Sequence, residues 1–268
     1  MGSFEFHPAA SDYDALNAVA LARAARLAYS PTVLSSLSEW GFSGSRALFL
    51  DRKGTQCYIA GDEELVLIAF AGTRILELRD LKTKKRINLV PGPRGEIHHG
   101  FRDALSHVWE DLISKLRKLR HQGQPVWVTG HSAGAALSIV AVAKLNFEMD
   151  LPIQGLYTFG SPRVGDAGFA NAFDEALGRQ TFRFRNNNDV VTKVPVPGVL
   201  FLRYRHVGTL HYFDAEGRLH TDVGAMQTMM QTMWDRIPGG LDDLGKPGSS
   251  GLKDHAIDRY VELLERNV

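Results

Sequence analysis

The sequence predicts one α/β domain, a mainly parallel sheet covered by helices on both faces, and three observations carry that prediction. Strand-like apolar runs alternate with helical patterns from residue 126 to residue 185, and parallel strands need crossovers of that kind. The chain of 268 residues is long enough for a single large core. Its 44% apolar and 23% charged residues are ordinary for a globular domain, and no repeat or low-complexity tract divides it.

Taken in order, Ser11 followed three residues later by Asp14 makes a capping-box-like start. Leu16, Val19, Ala20 and Leu27 then follow at helical spacing. Three β-rich runs, 47–50, 56–60 and 65–71, read as an antiparallel entry into the sheet, with Gly61 and Asp62 in a tight turn. Leu105, Val108, Trp109, Leu112, Ile113, Leu116 and Leu119 predict one amphipathic helix over 101–119. Strands are predicted at 126–129, 155–159 and 181–185, and helices at 133–147 and 167–177. The remainder predicts a strand over 200–206, a hairpin around Asp214–Gly217, and helices near 226–234 and 254–264.

Composition excludes several classes. A net charge of +1 gives no basic footprint for nucleic acid. One cysteine, Cys57, excludes an intrachain disulfide framework and a Cys-rich zinc site, and its place in the run Thr55–Ala60 predicts a buried structural thiol. No apolar run reaches the roughly 20 residues that span a bilayer, so a soluble chain without a transmembrane segment is expected. Met1–Ala10 has no basic start and no apolar stretch, which leaves a cytoplasmic protein or one secreted with its leader removed.

The chemistry is signalled at Gly130-His131-Ser132-Ala133-Gly134, set between the apolar strand Val126–Val128 and an alanine-rich helix. A serine on so sharp a strand-to-helix turn needs small residues two positions before and after it, because a Cβ there collides with neighbouring chain. The helix N-terminus then offers free N–H groups where negative charge develops during acyl transfer. Such a pentapeptide also arises by chance in glycine-rich turns, and the flanking strand and helix favour the catalytic reading of Ser132. That strand, turn and helix together are the elbow of an α/β-hydrolase fold. Upstream, Ala69-Phe70-Ala71-Gly72-Thr73-Arg74 ends a strand in glycine and a hydroxyl residue. The N–H groups of Thr73 and Ala133 are the predicted oxyanion donors, an ordinary strand-ending turn being the alternative for Thr73.

Several separated segments carry a family resemblance: Phe70–Thr73, His98–Phe101, Thr129–Gly134, Tyr157–Asp166, and Asn188–Val191 followed by Pro195. In this order they resemble the class 3 lipases, the group of the filamentous-fungal triacylglycerol lipases. Ala133 and Ala135 depart from the leucine and glycine common at those places, and both keep the site small. The resemblance implies a Ser, Asp, His order, with Asp189 after the β-rich run 182–185 and held by Val190 and Val191. Its carboxylate would fix the histidine tautomer. Four histidines lie downstream: His206, His211, His220 and His255. His255 is chosen because Leu252–Tyr260 resembles the family's catalytic histidine segment ending in an aromatic, while His206 and His211 stay open as alternatives. Asp254 beside it is expected to cap the last helix.

The implied function is carboxylic ester hydrolysis through an acyl-enzyme, on lipid esters at a lipid–water interface, with no metal or cofactor required. A helical lid is implied over residues 75–95, where Ile75, Leu76, Leu78, Leu81, Ile87 and Leu89 mix with Lys82, Lys84, Lys85 and Arg86; a charged surface helix fits the same residues. Triacylglycerol is the first substrate expectation. A phospholipase A-type activity, supported by the basic segment, and a feruloyl or short-chain esterase are the alternatives within the family. A non-catalytic binding protein on a hydrolase scaffold and a membrane-attacking effector are the readings from other classes.

Overall fold

The computed structural model describes residues 4–72, 88–195, 204–221 and 250–268. The chain enters through α1 (Ala15–Leu27) and α2 (Val33–Glu39). It then lays down β1 (Ala47–Arg52), β2 (Thr55–Gly61) and β3 (Val66–Phe70) as an antiparallel meander. A two-stranded ladder of β4 (Leu89–Pro91) and β5 (Glu96–His98) precedes α3 (His99–Ser106) and α4 (Trp109–Leu119). Next come β6 (Val126–His131), α5 (Ala133–Met149), β7 (Gly155–Phe159), α6 (Ala167–Leu177) and β8 (Thr181–Asn186). The described chain closes with β9 (Thr209–Phe213), β10 (Leu219–His220), α7 (Ser250–His255) and α8 (Ile257–Glu265). The main sheet runs β1-β2-β3-β6-β7-β8-β9-β10, parallel from β3 to β9 and antiparallel at each edge.

Alternation along the strands divides the core between the two faces. Val66, Ile68 and Phe70 of β3, with Val126 and Val128 of β6, pack on one face beneath α3, α4, α5 and α6. Leu67 and Ala69, with Trp127, Tyr157, Phe159, Phe182 and Phe184, pack on the other beneath α1 and α8. Each large side chain buried there contributes roughly 1.5 to 3 kcal/mol relative to exposure. Residues 133–143 of α5 are buried on every side, as expected of a helix that is apolar all round. Cys57 is buried in β2, and burial pushes its thiol up to about 12, so it stays protonated and unreactive at neutral pH.

Several boundaries differ from the sequence reading. Asp14, not Ser11, caps α1, its carboxylate accepting from Asn17 N–H. The single helix predicted over 101–119 is two. The N–H groups of His107 and Val108 bond back only three residues, to Ala104 and Leu105, which tightens and ends the first helix. The apolar spacing runs on across the break because Leu105, Val108 and Leu112 all enter one core. Of the strand predicted at 200–206, residues 200–203 lie outside the described residues. Residues 204–206 make only an isolated bridge, Arg205 to Gly165, and the sheet is continued by Thr209–Phe213 instead. The last helix breaks at Ala256, whose backbone is extended. The short helix Val33–Glu39 and the ladder β4–β5 carry too little periodicity to be predicted from sequence.

The helix expected near 226–234 lies outside the described residues, as do residues 75–87 of the expected lid. Its remainder contains Leu89–Pro91 and the turn into β5. Among the described residues no helix is long and apolar enough to cross a membrane.

Candidate active site

The site begins where β6 turns into α5. Ser132 sits between them with φ 61° and ψ −129°, a conformation costing a non-glycine residue on the order of 1–3 kcal/mol. The turn is tight enough that a Cβ at Gly130 would meet the backbone of Gly134, and one at Gly134 would meet the carbonyls of Phe70 and Ala71. This is the collision the sequence argument assumed. Ser132 N–H is held by the Phe159 carbonyl at 2.9 Å, and its own carbonyl accepts from Ala135 at 3.0 Å. Ala133 is the first residue of α5 and is buried; its N–H belongs to the first turn, where no helical acceptor exists.

The chain's far end supplies the partner. His255 Nε2 lies 2.8 Å from Ser132 Oγ, and His255 Nδ1 lies 2.9 Å from Asp189 Oδ2 and 3.0 Å from Oδ1. An ionised carboxylate only accepts, so Nδ1 carries the proton and Nε2 of the neutral ring is free to accept from the serine hydroxyl. Ser132, His255 and Asp189 are all buried. Burial alone would raise the Asp189 carboxyl. The charge and bond of His255, with bonds from Tyr260 and the Val191 N–H, outweigh it and hold Asp189 below the ordinary carboxylate value.

Asp189 follows β8 by three residues. Val190 and Val191 behind it are buried in the core, and the Val191 N–H donates to Oδ1 at 2.9 Å. Two supports escaped sequence reasoning. Tyr260, read only as the aromatic ending the histidine segment, donates its hydroxyl to Asp189 Oδ2 at 2.6 Å and accepts from Asn186 N–H at 3.0 Å. Asp254 does not cap α8, which is preceded by Ala256 with no side-chain cap. It reaches back: Oδ2 accepts from Asn187 Nδ2 and Asn188 N–H, each at 3.2 Å, and its carbonyl accepts from Asn186 Nδ2 at 2.9 Å. The aspartate and histidine loops are thereby tied together on both sides of the imidazole.

Gly160, at φ 60°, closes the floor of the site. A Cβ there would lie 2.7 Å from Asp189 Oδ2 and 2.9 Å from His255 Nδ1, so a side chain is excluded by both backbone and space. The sequence offered this glycine only as part of Tyr157–Asp166.

The other histidines lie elsewhere. His206 is bonded through Nε2 to the Thr192 carbonyl at 2.9 Å. His211 packs on Phe184 with ring centroids 5.0 Å apart, and His220 pairs with Asp214 at 2.9 Å. Thr73, the other predicted oxyanion donor, lies outside the described residues; the residue before it, Gly72, abuts Ser132 closely enough that a Cβ would stand 2.9 Å from the serine Cβ. Among the described residues no three His, Cys, Asp or Glu side chains converge as metal ligands.

The chain is similar to known lipases. The family model for lipase (class 3) matches residues 67–198, a span that includes Ser132 and Asp189 and ends before His255. A secreted mono- and diacylglycerol lipase of Malassezia globosa is 29% identical, over 48% of this chain and 46% of that one. A phospholipase A1-II of Oryza sativa subsp. indica is 33% identical, over 58% of this chain and 39% of that one. The chain therefore spans less than half the length of either relative. Among solved structures, that of a triacylglycerol lipase with a serine-protease triad at its catalytic centre superposes with a TM-score of 0.62. Its identity is 23%, over 88% of this chain and 90% of that one, a likeness of fold. Over residues 67–198, a segment running through the elbow and the strands on either side of it, the chain is similar to the class 3 lipase family.

Proposed function

We propose that this chain is a carboxylic ester hydrolase acting on lipid esters, with Ser132 as nucleophile, His255 as general base and acid, and Asp189 as the carboxylate that orients the imidazole. One observation carries the reading: the unbroken line from Ser132 Oγ through both ring nitrogens of His255 to Asp189, at 2.8 and 2.9 Å. In that line Nε2 takes the hydroxyl proton as Oγ attacks the ester carbonyl, and Asp189 stabilises the imidazolium that forms. The oxyanion is received by the N–H of Ala133 and, as the sequence implies, of Thr73. His255 then protonates the departing alcohol, and water, activated by the same ring, releases the acid from the acyl-serine. The scheme draws on no metal or cofactor.

Acylglycerol is the substrate class we favour, since the Malassezia globosa relative is named a mono- and diacylglycerol lipase. The rice relative named as a phospholipase A1 supports a second reading, phospholipid hydrolysis. We assign action at a lipid–water interface, with residues 75–95 gating access as the sequence implies. Because the Malassezia globosa relative is named as secreted, export is the compartment we propose, and ester hydrolysis in spent medium tests it.

The deciding experiment measures hydrolysis of p-nitrophenyl esters from acetate to palmitate by the native chain and by Ser132→Ala. Loss of kcat by about 10⁶ is expected for the variant. Equal activity of the two proteins, or none in either, overturns the reading. Emulsified acylglycerol against phosphatidylcholine vesicles then separates the two substrate classes.

A further inference from the structure

A second hydrogen-bonded path runs behind the Ser132–His255–Asp189 line. Gly72 N–H donates to the Tyr29 hydroxyl oxygen at 2.8 Å. That oxygen lies 2.7 Å from His131 Nδ1, and His131 Nε2 lies 2.7 Å from the backbone carbonyl of His255. The proton positions follow from what each end can do. A carbonyl only accepts, so His131 Nε2 carries the hydrogen; Nδ1 of the neutral ring must then accept, and the Tyr29 O–H supplies it. Burial, helped by the charge of His255, holds the His131 pKa down at about 3, and burial pushes the Tyr29 hydroxyl up. Both groups are therefore neutral around neutral pH.

Each end of the path reaches a piece of the site. Gly72 lies two residues past β3 and abuts Ser132, His131 immediately precedes Ser132, and His255 carries the base. The need for the path is visible at His255. α7 ends there and the backbone turns extended at Ala256, so the buried His255 carbonyl lies among those a helix end leaves unpaired. His131 fills that vacancy, and its ring packs at a tilt of 32° against the His255 ring with centroids 4.6 Å apart. The imidazole is thus held by Asp189 at its edge and by His131 from its own backbone.

We propose that Tyr29 and His131 are positioning residues for the hydrolysis: together they set His255 against Ser132 and fasten Gly72, two residues past β3, to the same frame. The inference rests on the reading of Ser132 as nucleophile. Small displacements of a base from its nucleophile cost rate steeply, because proton transfer requires a near-attack geometry. His131 and Tyr29 never touch substrate in this scheme, so their effect falls on kcat while substrate binding is spared.

The test uses the whole chain with p-nitrophenyl butyrate, and a p-nitrophenyl alkylphosphonate as a stoichiometric label for the serine. Tyr29→Phe keeps the ring and loses only the hydroxyl; His131→Leu removes both bonds; His131→Gln retains an amide N–H near the place of Nε2. Tyr29→Phe and His131→Leu are each expected to lower kcat about tenfold, with KM within about twofold of native. Their double variant should be no worse than the poorer single one, since both cut one path. His131→Gln should recover most of the loss, which a role in packing alone would not produce. Native kcat in Tyr29→Phe, multiplicative losses in the double variant, or no recovery by His131→Gln would overturn the proposal. If His131→Leu does not fold, Tyr29→Phe with its kcat-against-KM split decides. Phosphonate labelling of native chain but not of Ser132→Ala, alongside native kcat in Tyr29→Phe, removes the path and leaves the nucleophile standing. An unlabelled native chain removes both.

Discussion

The serine end and the histidine end of the candidate site are built in opposite ways. Ser132 is set by its neighbours in sequence: β6 before it, α5 after it, and two glycines that let the turn close. His255 is set almost entirely by residues far away, Asp189 at 66 positions and His131 at 124. Its own helix stops at the residue itself. An elbow is a local device whose geometry survives change elsewhere in the chain. A histidine held by tertiary bonds is only as well placed as the several loops that grip it. Damage at the serine end should remove chemistry and leave the fold, whereas damage at the histidine end should erode both together.

Replacing Ser132 by alanine is the largest expected effect and the cleanest instance of the first kind, with a Tm close to native by calorimetry. Asp189→Asn comes next and sits at the junction. An amide facing Nδ1 admits the wrong tautomer, and kcat is expected to fall by about 10⁴ on a soluble ester. Unlike the serine variant it should also lose stability, because Tyr260 and the Val191 N–H would then donate to a neutral oxygen or to an N–H group. A native Tm alongside the rate loss would show that the aspartate loop is as self-contained as the elbow and would break the comparison.

Tyr260→Phe probes the histidine end more gently. It removes one donor from Asp189 and leaves the buried Asn186 N–H without its acceptor. A cost of roughly 1–3 kcal/mol in urea unfolding is expected for the orphaned donor, with kcat falling far less than in Asp189→Asn. A variant as stable as native would mean that Asp254, through its bonds to Asn187 and Asn188, holds the loop without help.

The same contrast explains what the sequence could disclose. The elbow is legible because every constraint on it lies within a few residues, so spacing and flanking periodicity together specify Gly130, Ser132 and Gly134. Asp189 and His255 needed a family resemblance, since nothing local separates Asp189 from a turn-capping aspartate or His255 from the other downstream histidines. Tyr29, the Asp254 clamp and the service Tyr260 gives Asp189 were not legible. Their bonds join points between 43 and 102 positions apart, and no periodicity encodes them. The described end of the strand expected over 200–206 has a related cause: Tyr204-Arg-His206 mimics alternation but makes only an isolated bridge. The true β9 carries His211, buried among Phe182, Phe184 and Tyr13, where a sequence pattern expects an apolar residue.

Those buried histidines give the smallest predicted effect per residue, and it is read in the pH dependence of stability. Burial holds His131 at about 3 and His98 and His211 at about 4, whereas in the unfolded chain each titrates near 6.5. Below that value the unfolded chain binds protons that the folded chain refuses. Stability is therefore fully present above about pH 6.5 and is lost as pH falls toward the folded values, with a limiting slope of about 1.4 kcal/mol per pH unit for each ring. Asp189, also depressed, has the same sign but acts only below its ordinary value of 3.8. Urea midpoints at pH 7.5 and 5.0 should show the fall, and His131→Gln should make it shallower by about one ring's share. His211→Gln, in the far strand, should do the same. If only the His131 variant flattens the slope, acid sensitivity resides at the elbow and its contact with His255; equal flattening assigns it to burial wherever it occurs in the sheet.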